Sequence, residues 1–106
     1  MPGVIINNLE TELKPNGTQA DEALTVDDTA GGVQLAAIDA ATTHVYWTVH
    51  DNPIRVTFDD SAPTTTNGHV IAAGASGTWK KESVVAAKFI RDGASNAVFH
   101  ASQMTR

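Results

Sequence analysis

The chain has 106 residues, and its 12 acidic and 7 basic side chains give a net charge of −5 at pH 7. This length suits one domain, and a hydrophobic content of 42% is too high for a disordered acidic tail. The lysines and arginines are scattered and no apolar run approaches the length of a membrane span, so we expect neither nucleic acid nor membrane as a partner. The absence of cysteine excludes disulfides, thiolate metal sites and a cysteine nucleophile.

The N-terminal part of the chain, residues 1–23, is predicted to form an extended arm that precedes a β-domain at residues 24–106. Its apolar pieces are short, as at residues 4–6, and glycine, proline and acidic residues interrupt them. Such a segment buries little surface by itself, so we expect it to lie over something else, such as a neighbouring subunit. The alternative is a tail without a fixed partner.

Short alternating runs follow the arm. Residues 33–37 alternate weakly, and residues 44–50 alternate strongly between an apolar face (Val45, Trp47, Val49) and a polar face (His44, Tyr46, Thr48, His50). After the turn residues 51–53, residues 54–58 alternate again. Two alternating runs across a short Asp-Asn-Pro link predict an antiparallel hairpin.

The second half of the chain continues the β pattern. We expect a polar loop at residues 59–69, a short strand at 69–73, a small-residue loop at 74–77 and another strand around Trp79. Residues 83–91 and 97–101 are predicted to form a second hairpin across the turn at 92–96. Ser83 as a cap and Gly93 as a stop leave a helix at 83–91 as the alternative.

About seven short strands at regular spacing predict an all-β fold, namely an antiparallel β-sandwich or a jelly-roll-like barrel with an extended N-terminal arm. The expected core residues are Val45, Trp47, Val49, Ile54, Val56, Phe58, Phe89 and Phe99. Few lysines are available to protect the edges of the sheets, which favours an oligomer.

Candidate metal sites are weak. The four histidines (His44, His50, His69 and His100) have no metal-binding spacing, and His44 and His50 lie about 20 Å apart along one strand face. His69 with Asp59 or Asp60 is the one pairing that the loop brings into range. The oxygen-rich residues 59–67 make a calcium site conceivable, although they lack an EF-hand pattern.

Catalytic patterns are also missing. No serine lies in a G-x-S-x-G turn, and the neighbouring acids Asp27-Asp28 and Asp59-Asp60 are more typical of turns than of a catalytic dyad. The glycines at 74–77 lack the features of a phosphate-binding loop. We expect Arg55 to pair with an acid and Trp47 to be buried. The sequence therefore predicts no catalytic, cofactor-binding or metal-binding residue, and no enzyme.

The region from 43 to 102 carries a distinctive order of segments. A strand leads into R-V-T-F-D-x-S-x-P-T, a Gly-His turn follows with an alanine- and glycine-rich strand, and then come A-x-K-F-I-R and a final strand. This order resembles small structural proteins of tailed bacteriophages. The matching residues are Arg55, Val56, Thr57, Phe58, Asp59, Ser61, Pro63, Thr64, Gly68, His69, Lys88, Phe89, Ile90 and Arg91.

The resemblance implies a virion component, assembled in the host cytoplasm, that works as a homo-oligomer with a trimer favoured. The implied function is a capsid decoration or cement protein that binds the major capsid protein or another virion protein. Three alternatives stay open. One is a head–tail or tail accessory protein, and another is a carbohydrate- or receptor-binding β-sandwich module. The third is a small enzyme with a jelly-roll metal site that uses His50, His69 or His100. The resemblance brings no catalytic residues with it.

Overall fold

The structure, a computed structural model, describes residues 13–17 and 21–106. It is mostly β with antiparallel sheets, which confirms the predicted fold class. Residues 1–12 and 18–20 of the predicted arm lie outside the described residues. In chain order the elements are β1 (Lys14–Pro15), β2 (Glu22–Val26), β3 (His44–His50), β4 (Ile54–Thr57), β5 (His69–Ile71), β6 (Ser76–Lys80), α1 (Lys81–Ala86), β7 (Lys88–Arg91) and β8 (Ala97–Thr105).

Two sheets form the sandwich. The first has the order β8-β3-β6, with β1 and β2 both paired to the outer edge of β8, and the second has the order β7-β4-β5. Short links join β8 to β7, β3 to β4 and β6 to β5, so the two sheets run across the molecule in the same order. The ring centroids of Phe89 on β7 and Phe99 on β8 are 4.4 Å apart, which places the two sheets face to face.

The predicted hairpin of residues 44–50 with 54–58 is wrong. β3 pairs with β6 and β8, whereas β4 pairs with β5 and β7 in the other sheet. The link at 51–53 is an arch between sheets, and Asp51 enters it with a positive φ of 77°. Both strands alternate because each faces the same core from an opposite side, and alternation reports burial rather than pairing.

The predicted hairpin of residues 83–91 with 97–101 is also wrong. The helix α1 occupies Lys81–Ala86, and β7 then pairs with β4 while β8 pairs with β3. The helical alternative is therefore correct for the first part of the segment. Residues 92–96 form an arch, as residues 51–53 do. The predicted loop at 74–77 ends early, because β6 begins at Ser76.

The core confirms most of the predicted residues. Seven are buried, namely Val45, Trp47, Val49, Ile54, Val56, Phe89 and Phe99. Phe58 is wrong, because it lies just beyond the last residue of β4 and is 37% exposed. Smaller side chains complete the core, namely Val26, Val84, Ala87, Ala97 and Ala101.

One flank of the sandwich is covered, and we call it the closed flank: the outer edges of β8 and β7 with the segments paired to them. β2 pairs with β8 over its whole length. On β7, the N–H of Val33 donates to the carbonyl of Phe89, and the N–H of Phe89 donates to the carbonyl of Val33, both at 2.8 Å. Gly32 permits this approach, since it has a φ of +84° and an added Cβ would lie 2.9 Å from Pro63.

Candidate functional site

The opposite flank is bordered by two strand edges, and we call it the open flank: the outer edges of β5 and β6 with Phe58 beside them. β5 is the last strand of the second sheet and β6 the last strand of the first, and residues 72–75 join them. No strand among residues 13–17 and 21–106 pairs with either outer edge. Unpaired strand edges are the usual place where another chain adds to a sheet.

The hydrogen-bond pattern identifies the outward backbone groups of β6. The N–H of Lys81 donates to the carbonyl of Thr43, and the N–H of Val49 donates to the carbonyl of Ala75. In the register that places Val45 opposite Trp79, hydrogen-bonded pairs alternate along the ladder. The backbone groups of Gly77 and Trp79 therefore face β3. Those of Ser76, Thr78 and Lys80 face outward.

Aromatic side chains fill the space between the sheets behind this edge. The Trp79 ring lies 4.8 Å from the Trp47 ring and 5.2 Å from the Phe58 ring, centroid to centroid. Gly77 makes room for Trp47, since an added Cβ would stand 2.8 Å from Trp47 Cζ2. The side chains of β6 alternate between the core face, against which Trp79 packs, and the solvent face, on which Ser76, Thr78 and Lys80 are exposed. The position of β6 is therefore fixed by the core.

A cavity of about 320 Å³ opens at the end of the β4–β5 pair. Its lining residues are Val56, Thr57, Phe58, Asp59, Asn67, Gly68 and His69. Phe58 and His69 present rings 6.4 Å apart, and Asp59 and Asn67 supply polar groups. Aromatic faces beside carboxylate and amide groups are suited to a small polar ligand with an apolar face, such as a sugar.

The loop behind this cavity is held by its own hydrogen bonds. The Ser61 N–H and hydroxyl both donate to the Asp59 carboxylate, and these bonds hold the pKa of Asp59 below its ordinary value of 3.8. The Asn67 amide donates to the Ala62 carbonyl at 2.9 Å, and the Thr57 hydroxyl donates to the Ser61 carbonyl at 2.6 Å. The Asp59 carboxylate therefore stabilises the turn by binding nearby groups of Ser61, as the sequence suggested.

Two of the four histidines are neighbours, since the rings of His50 on β3 and His100 on β8 lie 6.2 Å apart. His44 bonds to Thr43 at 3.0 Å and His50 to Thr48 at 2.7 Å, while His100 lies 3.7 Å from the Asp21 carboxylate. His69 shares the cavity with Asp59, but Asp60 turns away and pairs with Lys88 at 2.8 Å. Within the part of the chain that the structure describes, no group of three or more His, Cys, Asp or Glu side chains could hold a metal ion.

The other acid pair and the arginine also have defined partners. Asp27 accepts hydrogen bonds from the Thr29 hydroxyl and N–H, which lower the pKa of Asp27, while Asp28 pairs with Arg91 at 3.2 Å. The two neighbouring carboxylates thus serve separate contacts. Arg55 pairs with an acid as predicted, since its Nε lies 2.7 Å from Asp92 Oδ1.

Four cations remain outside these pairs. Lys14, Lys80, Lys81 and Arg106 form no ion pair with any described residue. They lie at one end of the first sheet, because Lys14 is opposite Thr105 while His44 is opposite both Lys80 and Met104. We call these four residues the basic end. The sequence did not reveal this cluster, because its members are spread over the whole chain.

Comparison with known proteins identifies no relative. No family model, no curated protein and no solved structure matches the chain.

Within residues 13–17 and 21–106, no helix is long and apolar enough to cross a bilayer.

Proposed function

We propose that the chain is a non-enzymatic structural protein of a tailed-bacteriophage virion, a capsid decoration protein that binds and stabilises the major capsid protein shell as a homo-oligomer, with a trimer as the expected assembly. The observation that carries the proposal is the open flank. It offers two strand edges and an exposed aromatic ring on a side of the molecule where the core is otherwise complete. The resemblance of residues 43–102 to phage structural proteins supports the location on a virion.

The mechanism is adhesion by buried surface. Val70 on β5 is 52% exposed and Phe58 is 37% exposed, and burial of such side chains against a second copy is favourable. A contact of modest strength that repeats by symmetry over a shell becomes a strong clamp through avidity. The carboxylates described above serve turns and ion pairs, which suits a structural role.

Two exposed valines give a matched test of self-association. Val70 lies on the open flank at 52% exposure, whereas Val85 lies on α1 at 55% exposure. Val70→Asp is expected to lower the solution mass of the oligomer, measured by light scattering after size exclusion, while Val85→Asp leaves it unchanged. Equal masses for both variants and the unmodified chain would remove the open flank from the proposal.

The shell partner is tested by sedimentation. Capsids that lack this chain are mixed with the purified protein and pelleted, and the pellet is assayed for the chain and for its stoichiometry to the major capsid protein. The proposal predicts saturable binding to capsids. Binding to purified tails and not to capsids would instead identify a head–tail or tail accessory protein, and binding to neither would contradict a virion role.

A second candidate function rests on the cavity at Phe58 and His69. Its rings and polar groups favour a carbohydrate- or receptor-binding module, with a sugar as the ligand. A glycan array probed with the protein, with Phe58→Ala as the matched variant, tests this function. Binding that Phe58→Ala abolishes would support it, and an array without signal would remove it.

A further inference from the structure

We propose that residues 4–9 of one copy add as a strand to the outer edge of β6 in a neighbouring copy, and that this exchange links the homo-oligomer. The inference rests on the proposed function and names the contact that holds the copies together. The acceptor is the row of outward backbone groups at Ser76, Thr78 and Lys80, which have no strand partner among the described residues.

The donor has the composition of a strand. Residues 4–9 read V-I-I-N-N-L, with β-branched residues at the start and a leucine at the end. They precede Leu13, where the described part of the chain begins. An added strand satisfies its backbone groups with those of the edge, so even a short apolar segment gains a register of hydrogen bonds.

The charges on both sides agree with this contact. The donor strand is followed by Glu10 and Glu12, while β6 ends at Lys80 and α1 begins at Lys81, both of the basic end. Neither lysine forms an ion pair with a described residue, although Lys81 Nζ donates to the Ala40 carbonyl at 3.5 Å and its charge acts on Asp39. A strand that runs parallel to β6 places the two glutamates beside these two lysines. The complementarity therefore selects β6 over β5, which ends at Ile71 without a lysine nearby.

The length of the chain between Leu9 and Lys14 decides whether residues 4–9 can pair with β6 of their own copy or only with β6 of a neighbouring copy. The added strand would lie four strand positions from β1, since β8, β3 and β6 intervene, and this separation is about 19 Å at the usual strand spacing. From Leu9 to Lys14 the chain has five residue steps, which span about 17 Å when fully extended. It must also turn at both ends of the crossing. Residues 4–9 therefore cannot line β6 of their own copy, and a neighbouring copy supplies the edge.

Engineered cysteines test the contact, because the chain has none of its own. In a strand parallel to β6 with Glu10 opposite Lys80, Asn8 lies opposite Thr78. A full-length chain with Asn8→Cys and Thr78→Cys is therefore oxidised mildly and examined on a non-reducing gel with a free-thiol count. The matched control carries Asn8→Cys and Val70→Cys, which places the second thiol on the exposed edge of β5. We expect the Thr78 pair to convert the single-chain band into linked chains, and the Val70 pair to leave most of it unlinked.

The solution mass of the unmodified chain is measured in parallel by light scattering, and with that mass known each outcome decides the question. An oligomeric chain whose Thr78 pair forms no disulfide, or only a disulfide within one chain, overturns the strand exchange and leaves the proposed function intact. Equal linkage of both pairs overturns the choice of β6. A monomeric unmodified chain overturns the oligomer and the exchange together.

A charge swap supplies an independent readout. Lys80→Glu with Lys81→Glu is expected to lower the mass of the oligomer, and the further changes Glu10→Lys and Glu12→Lys are expected to restore it. Restoration shows that the two sets of charges face each other. Loss of mass without restoration, or no loss at all, contradicts the proposed placement of the glutamates beside the lysines.

Discussion

The two flanks of the sandwich solve the same problem in different ways. Every sheet has two edges with unpaired backbone groups, and on the closed flank the chain covers them with β1, β2, Asp27 and Val33. On the open flank the described residues leave β5 and β6 uncovered. The comparison teaches that edge protection among the described residues is selective, since β1, β2 and the segment around Val33 all cover edges on the same flank.

The largest expected difference between the flanks concerns aromatic truncation. Phe99 on β8 is fully buried and lies 4.4 Å from Phe89, so Phe99→Ala should lower the free energy of unfolding by about 3–5 kcal/mol. Phe58 is 37% exposed, so Phe58→Ala should cost about 1–2 kcal/mol. Urea unfolding of both variants measures the two costs. Equal losses would mean that the open flank belongs to the core of the single chain.

Proline on the closed flank should have the next largest effect. Val33→Pro removes the N–H that donates to the buried Phe89 and leaves that carbonyl without its partner. The expected loss of unfolding free energy is about 2–3 kcal/mol by chemical denaturation. Val33→Ala is the control, because it retains the N–H. A Val33→Pro variant no less stable than Val33→Ala would show that this edge gains nothing from its cover.

Crowding behind the open flank should cost less. In Gly77→Ala the new Cβ meets Trp47 Cζ2 at 2.8 Å, and the indole is held by Trp79 and Phe99, so we expect a loss of about 1–2 kcal/mol. Gly93→Ala is the matched control, since nothing lies within 4 Å of its added Cβ. Thermal unfolding of the pair measures the difference. A Gly77→Ala variant as stable as Gly93→Ala would mean that β6 is loosely seated.

The smallest expected effect is on acid stability. Hydrogen bonds from Thr29 and from Ser61 hold the pKa values of Asp27 and Asp59 below the ordinary 3.8 in the folded chain. A lowered folded pKa gives stability that is present above the ordinary pKa and is lost as pH falls through the folded value. Asp27→Asn and Asp59→Asn should therefore each flatten the fall of the melting temperature on acidification from neutral pH to about pH 3. An unchanged slope in both would contradict the stated cause.

Burial on the strands was predictable and strand pairing was not. Val45, Trp47 and Val49 follow from period-2 alternation, because a strand with one buried face must alternate. The same alternation in residues 54–58 suggested a hairpin, yet a three-residue link suits an arch between sheets as well as a turn within one. The local sequence of a strand does not specify which of the two sheets the strand joins.

The candidate site shows a similar limit. The sequence predicted that Arg55 pairs with an acid, because an arginine next to buried strand residues needs a partner for its charge. Its partner is Asp92. The open flank depends on the order of strands in both sheets, which only the complete topology shows. Gly77 was assigned to a loop, although its lack of a side chain is what lets Trp47 pack beneath an edge strand.

The central claim is that copies associate through the open flank, and one mass measurement tests it most directly. Thr78→Pro removes an outward N–H of β6 and leaves the ladder with β3 intact, while Thr78→Ala keeps that N–H. By light scattering after size exclusion, the unmodified chain and Thr78→Ala should give a multiple of the 11.1 kDa chain mass, with a trimer expected, and a folded Thr78→Pro should give the single-chain mass. A monomeric unmodified chain, or an unaltered oligomer in Thr78→Pro, would contradict the account.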